Sequence, residues 1–168
     1  MNSILKYILP ILLVVGIIEG CKKLPHYSDV PQIEFSGFEI YRNHYNVLSL
    51  SYEDSVIIKL KFKDGDGDLG LDEEDKKTDT LPNFVMQSYV KVNSVFVDSV
   101  KYTGQFQPLT LSAKQIKGPI EGELRYVQRF SYADFNANDT LKFDIHIKDR
   151  AGNISNTVTT DILVVNSN

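Results

Sequence analysis

The chain begins with an apolar run and then changes to an alternation of apolar and polar residues. Lys6 precedes a nearly continuous apolar stretch, Tyr7–Ile18, which only Pro10 and Gly16 interrupt. A helix needs roughly 20 apolar residues to cross a bilayer, so this stretch is short for a membrane span and has the length of a secretory signal. We therefore expect residues 1–20 to form a signal peptide, with an uncleaved N-terminal anchor as the alternative.

After the signal, the apolar pattern is that of β-strands. Ile58–Lys63 alternates apolar and basic residues, and Leu141–Lys148 alternates apolar and polar residues. Such alternation is typical of a strand with one face on a core and the other in water. Further strands are predicted around Ile33–Ile40, Leu124–Phe130 and Asn156–Val165, and residues 90–97 are predicted to form a hairpin with a turn at Asn93-Ser94. These segments predict an all-β fold, most simply an antiparallel β-sandwich of seven or eight strands, with a small closed barrel as the alternative.

A turn near the C-terminus refines this prediction. Residues 149–155 read Asp-Arg-Ala-Gly-Asn-Ile-Ser, which resembles the D-x-A-G-N-x-S turn of bacterial immunoglobulin-like domains. In those domains the turn joins the last two strands. Gly152 and Asn153 adopt positive φ at low cost, and the Asp149 side chain suits bonding to backbone N–H groups. The resemblance implies an immunoglobulin-like sandwich over residues 31–166 and indicates no ligand, because such folds host many functions.

The signal ends in a second motif. Ile18-Glu19-Gly20-Cys21 resembles the lipobox of bacterial lipoproteins, in which the cysteine is diacylated and becomes the new N-terminus. Glu19 departs from the Ala or Ser that is usual there. The resemblance implies lipidation of Cys21, a lipidated tether over residues 21–30, and anchoring in the bacterial outer membrane. The domain would then face the periplasm or the cell surface.

The negative charge of the chain is concentrated in one segment. Residues 64–75 contain seven acidic residues and no base, whereas the rest of the chain after residue 20 has 14 acidic and 17 basic residues. Closely spaced carboxylates repel one another unless a cation offsets them. Calcium is a hard cation that prefers oxygen ligands. The predicted cofactor is calcium, and the candidate ligands are Asp64, Asp66, Asp68, Asp72 and Asp75.

The spacing of these aspartates partly matches the calcium loop of an EF-hand. Leu69, however, occupies the place of the required glycine, and the loop follows a predicted strand. The segment resembles instead the D-x-D-x-D loops between strands of exported β-domains, especially the aspartate–glycine loop of immunoglobulin-like lipoproteins of Gram-negative envelopes. The alternative is a solvated acidic loop whose aspartates cap backbone N–H groups.

The charge, the cysteine and histidine content and the missing catalytic motifs exclude several classes of function. The net charge of -4 argues against nucleic-acid binding. The single cysteine excludes an intramolecular disulfide, and the three histidines are far apart in sequence. No Gly-x-Ser-x-Gly elbow or phosphate-binding glycine loop is present, so we predict no catalytic residues.

We expect a non-enzymatic, lipid-anchored module for adhesion, scaffolding or assembly, with a protein or glycan partner in the envelope. The alternative is a ligand- or glycan-binding accessory lipoprotein of a nutrient uptake system.

Overall fold

The computed structural model describes residues 25–108 and 118–166, so the predicted signal peptide and Cys21 lie outside the described residues. Within the described part, nearly all regular structure is β, as the alternating pattern predicts. The single short helix in this part is α1 (Asp75–Thr78). The strands are β1 (Gln32–Asn46), β2 (Ser51–Asp64), β3 (Phe84–Val92), β4 (Val95–Gly104), β5 (Ile120–Ser131), β6 (Asp139–Ile147), β7 (Val158–Thr159) and β8 (Leu163–Val165).

The strands form two antiparallel sheets. One sheet has the order β1-β2-β5, and the other has the order β4-β3-β6-β7, with β8 also paired to β6. The chain passes from one sheet to the other between β2 and β3, between β4 and β5, and between β5 and β6. In the described part of the chain, this arrangement is an antiparallel β-sandwich of eight strands, which confirms the predicted all-β sandwich and excludes the closed barrel.

The core lies between the sheets and is built from alternate residues of their central strands. In β6, Leu141, Phe143, Ile145 and Ile147 are all buried. On the outward face of the first sheet, Lys61 is the register partner of Glu34 on β1 and of Glu123 on β5. Opposite charges placed directly across strands favour one register over its neighbours. The pairing of β2 with β5 is continuous from Glu53 to Asp64, whereas the pairing with β1 shifts register at two irregularities.

A buried carboxylate connects several segments at the end of the sandwich where β1 turns into β2. Asp54 is 0% exposed. Its Oδ1 accepts hydrogen bonds from the Asn43 N–H (3.0 Å) and the Tyr132 hydroxyl (2.7 Å). Its Oδ2 accepts from Arg42 Nη1 (3.1 Å) and the Asn166 N–H (2.9 Å). Four donors therefore compensate the buried charge of Asp54.

We expect Asp54→Ala to lower the free energy of unfolding by about 1–3 kcal/mol, because the substitution leaves four hydrogen-bond donors without their acceptor. The matched control is Asp161→Ala, at an exposed aspartate, for which we expect a change within about 0.5 kcal/mol. Urea denaturation followed by circular dichroism measures both values. Equal effects of the two substitutions would contradict this account of Asp54.

Candidate metal centre

The acidic loop begins at the last residue of β2, at the end of the sandwich opposite the β1–β2 turn. Leu69 and Leu71 alternate with its polar residues, and each is only 1% exposed. The Leu71 N–H donates to the Phe106 carbonyl oxygen (3.0 Å). Gly70 has φ +90°, and a Cβ there would lie 2.4 Å from the Gln107 carbonyl oxygen, so the loop packs closely against the segment after β4. Apolar burial thus holds the carboxylates against the sandwich.

Three of the five predicted ligands lie together. Asp64, Asp66 and Asp68 each contribute one carboxylate oxygen to a group in which all oxygens lie within 4.8 Å of one another. Calcium binds oxygen at about 2.3–2.6 Å, so its opposite ligands are roughly 4.6–5.2 Å apart. The observed spacing is therefore compatible with one shared ion. Asp64 is fully buried, and the other two aspartates are partly buried.

The oxygens of this cluster lack the compensation that other buried carboxylates receive. Oδ1 of Asp64, of Asp66 and of Asp68 is buried and has no hydrogen-bond partner among the described residues. The same is true of Oε1 of Glu53, but the Arg129 Nε atom lies 3.4 Å from that oxygen. A buried carboxylate oxygen without a donor or a cation is costly. A metal ion among the three aspartates would remove this cost.

Burial and mutual repulsion alter the acidity of the cluster. Burial raises the pKa of Asp64 from 3.8 to about 7, and the charges of Asp66 and Asp68 add to the increase. Burial also raises the pKa of Asp68 to about 6, with further increases from Asp149 and Asp66. Metal ligands bind as carboxylates, so a cation competes with protons for these groups. In the absence of a metal, protonation of Asp64 relieves part of the repulsion.

The turn after β6 brings a fourth acidic residue to the cluster. Asp149 is 1% exposed and close enough to raise the pKa values of Asp64 and Asp68. Its carboxylate accepts hydrogen bonds from the backbone N–H (2.7 Å) and the side-chain amide (2.8 Å) of Asn153. The Ala151 N–H in the same turn donates to Asp68 Oδ2 (3.0 Å). The turn therefore covers the acidic loop, a placement that the sequence motif did not indicate.

Asp72 and Asp75, the other two predicted ligands, bind backbone N–H groups near the start of α1 and lie outside the cluster. Asp72 Oδ1 accepts hydrogen bonds from the N–H groups of Glu74 and Asp75, both at 2.8 Å. Asp75 Oδ2 in turn accepts from the Asp72 N–H (3.2 Å) and from Arg150 Nη1 (3.4 Å). This reciprocal bonding closes the turn that leads into α1. Among the described residues, the group spaced for a metal ion consists of Asp64, Asp66 and Asp68 and does not include these two aspartates.

A comparison of the chain with known protein families, with curated proteins and with solved structures finds no match. In the described part of the chain, no helix is long and apolar enough to span a membrane. The function is therefore inferred from the acidic cluster and from the sequence motifs.

The raised pKa of Asp64 predicts an unusual pH dependence for the cation-free protein. Folding raises this pKa from 3.8 to about 7, so the folded state binds more protons than the unfolded state within that window. The contribution of Asp64 to the free energy of unfolding should therefore fall as the pH rises through it, by about 1–3 kcal/mol. Denaturation in EDTA at pH 5 and pH 8 measures the change. Asp64→Asn should remove this component, and an identical pH dependence in the variant would contradict the assignment.

Proposed function

We propose that the protein is a non-enzymatic module of the bacterial envelope, anchored through a lipid on Cys21, with a structural calcium ion in its immunoglobulin-like sandwich. The observation that carries the calcium site is the set of three buried carboxylate oxygens, on Asp64, Asp66 and Asp68, that have no hydrogen-bond partner in the described part of the chain. The lipobox-like segment before Cys21 supports the anchor. Adhesion, scaffolding or assembly with a protein or glycan partner is the role that suits such a module.

The chemistry of the ligands favours calcium over other common ions. Residues 64–75 contain neither histidine nor cysteine, which are the ligands that zinc prefers. Magnesium requires a nearly ideal octahedron at about 2.0–2.1 Å and is seldom held by protein ligands alone. Calcium accepts irregular sets of six to eight oxygens, so three carboxylates leave positions for water and carbonyl groups. We expect a Kd on the order of 10⁻⁴–10⁻³ M, the range of extracellular modules.

The proposed ion would stabilise the contact between the two sheets. Asp64 ends β2 in the first sheet, and the turn that begins with Asp149 follows β6 in the second. Asp68 already joins them by accepting the hydrogen bond from Ala151. A cation on Asp68 would reduce the repulsion between the loop and Asp149. Calcium would thus stabilise the contact between the acidic loop and the turn after β6.

Calcium should raise the thermal unfolding midpoint of the full chain in mild detergent by a few degrees. Mass action adds RT ln(1 + [L]/Kd), about 1.4 kcal/mol at ten times Kd, and a domain of this size responds with a shift of roughly 2–6 °C. The shift should disappear in Asp66→Asn/Asp68→Asn. It should remain in the control Asp98→Asn/Asp134→Asn, which alters two exposed aspartates outside the cluster.

Differential scanning calorimetry with calcium, and with sodium chloride at matched ionic strength, separates coordination from screening. An equal shift with sodium would contradict the calcium site. The site would also be contradicted if no shift occurred at millimolar calcium, or if the shift persisted in the double variant of the cluster.

The anchoring part of the proposal has its own test. Cys21 is the single cysteine of the chain, so Cys21→Ser should abolish labelling by radioactive palmitate. It should also increase the fraction of the protein that is released from membranes by high salt. Glu19→Ala is the matched control, because it restores the usual lipobox residue and should leave labelling intact. Undiminished palmitate labelling of Cys21→Ser would show that lipidation at this site is wrong.

A further inference from the structure

The segment that precedes β1 lies directly on the acidic loop. Gly65, between two of the clustered aspartates, donates its N–H to the Ser28 carbonyl oxygen (2.8 Å). A Cβ on Gly65 would lie 2.6 Å from the Tyr27 carbonyl oxygen and 2.8 Å from Asp29 Oδ1. Such distances are too short for a side chain, so the approach of this segment depends on glycine at position 65. We call residues 27–29 the docked tether segment.

Within the described part of the chain, few other contacts hold the docked tether segment. The Tyr27 hydroxyl donates to Glu121 Oε2 (2.8 Å), and Lys63 Nζ lies 5.4 Å from the centre of the Tyr27 ring. The Asn153 side-chain amide donates to the Asp29 carbonyl oxygen at 3.5 Å. Exposed polar contacts of this kind contribute little individually. The position of the segment is therefore sensitive to the state of the loop beneath it.

The charge of the loop opposes this docking when no cation is bound. Asp29 places its carboxylate beside Gly65, and Gly65 lies between Asp64 and Asp66. Like charges brought together in this way repel one another. A divalent cation held by the three clustered aspartates would offset two of their three negative charges and so reduce this repulsion, and it would also hold Gly65 in the conformation that donates to Ser28.

We infer that a divalent cation in the acidic loop locks the docked tether segment onto the sandwich and so restricts the orientation of the domain relative to its N-terminal attachment. This inference depends on the proposed cation site. It adds that the site controls a neighbouring segment whose residues contribute none of the three clustered carboxylates.

Hydrogen–deuterium exchange of the full chain in mild detergent tests the inference, with calcium alone as the probe. In a peptide covering residues 25–33, exchange should become about tenfold slower at ten times Kd, if opening of the tether requires release of the ion. Asp29→Asn should show greater protection without calcium and a smaller response to it, because the substitution removes the repelling charge.

Two glycine variants separate tether docking from cation binding. Gly65→Ala should abolish the calcium-dependent protection of residues 25–33 and retain the calcium-dependent rise in unfolding midpoint. Gly104→Ala is the matched control, because a Cβ there meets no atom within 4 Å, and it should retain both responses.

Each outcome distinguishes the two proposals. If calcium raises the midpoint of the native chain but leaves exchange of residues 25–33 unchanged, the cation site stands and the tether inference is overturned. If calcium changes neither quantity, both are overturned. Protection that persists in Gly65→Ala also overturns the inference. If Gly65→Ala also loses cation binding, the test of the inference is Asp29→Asn. A calcium-dependent slowing of exchange in residues 25–33 of this variant that equals that of the native chain overturns the inference.

Discussion

The structure depends on how the charge of one buried carboxylate, that of Asp64, is compensated. The strand alternation of β2 directs this residue to the interior, where it is 0% exposed. The Asp68 N–H donates to its Oδ2 (3.0 Å), and its Oδ1 has no hydrogen-bond partner among the described residues. Desolvation and neighbouring acids then raise its pKa to about 7. The loop, the turn after β6 and the segment before β1 all meet around this residue, so its charge state affects each of them.

The two ends of β2 show two solutions to the same physical problem. Asp54 and Asp64 are both completely buried. Asp54 receives four hydrogen bonds, one of them from Arg42, and so ties together segments of both sheets without external help. Asp64 lies instead among other carboxylates. The protein can therefore compensate one end of the strand with its own donors, whereas the other end requires a proton or a metal ion.

This difference suggests how the proposed envelope module would work. The end that contains Asp54 is held by hydrogen bonds within the protein. The end that contains Asp64 receives the chain from the proposed lipid anchor, through residues 27–29 that lie on Gly65. An ion bound there would stabilise the sandwich and the attachment of the tether at the same point. Stiffness at the attachment would suit the proposed module, which would present its far end to a partner.

The sequence by itself determined the fold class, most of the strands and the three clustered aspartates of the candidate site. Asn156–Val165, predicted as one strand, forms the two short strands β7 and β8. Alternation is a local property with a period of two residues, so β2 and β6 could be predicted directly. The positions of Asp64, Asp66 and Asp68 could be predicted as a group because they are close together in one loop. The sequence also contains the lipobox-like motif at Cys21, which predicts lipidation.

Tertiary structure alone decided the surroundings of the site. Asp72 and Asp75 belong to the same acidic run, but a tight turn and α1 direct their carboxylates to backbone N–H groups. Asp149 and the segment around Ser28 are distant in sequence and reach the loop only because the order of the strands places the ends of β2 and β6 and the start of β1 together. Residues that are close in sequence can be assigned to one loop from the sequence alone. Which distant residues contact that loop depends on the order of the strands in the two sheets.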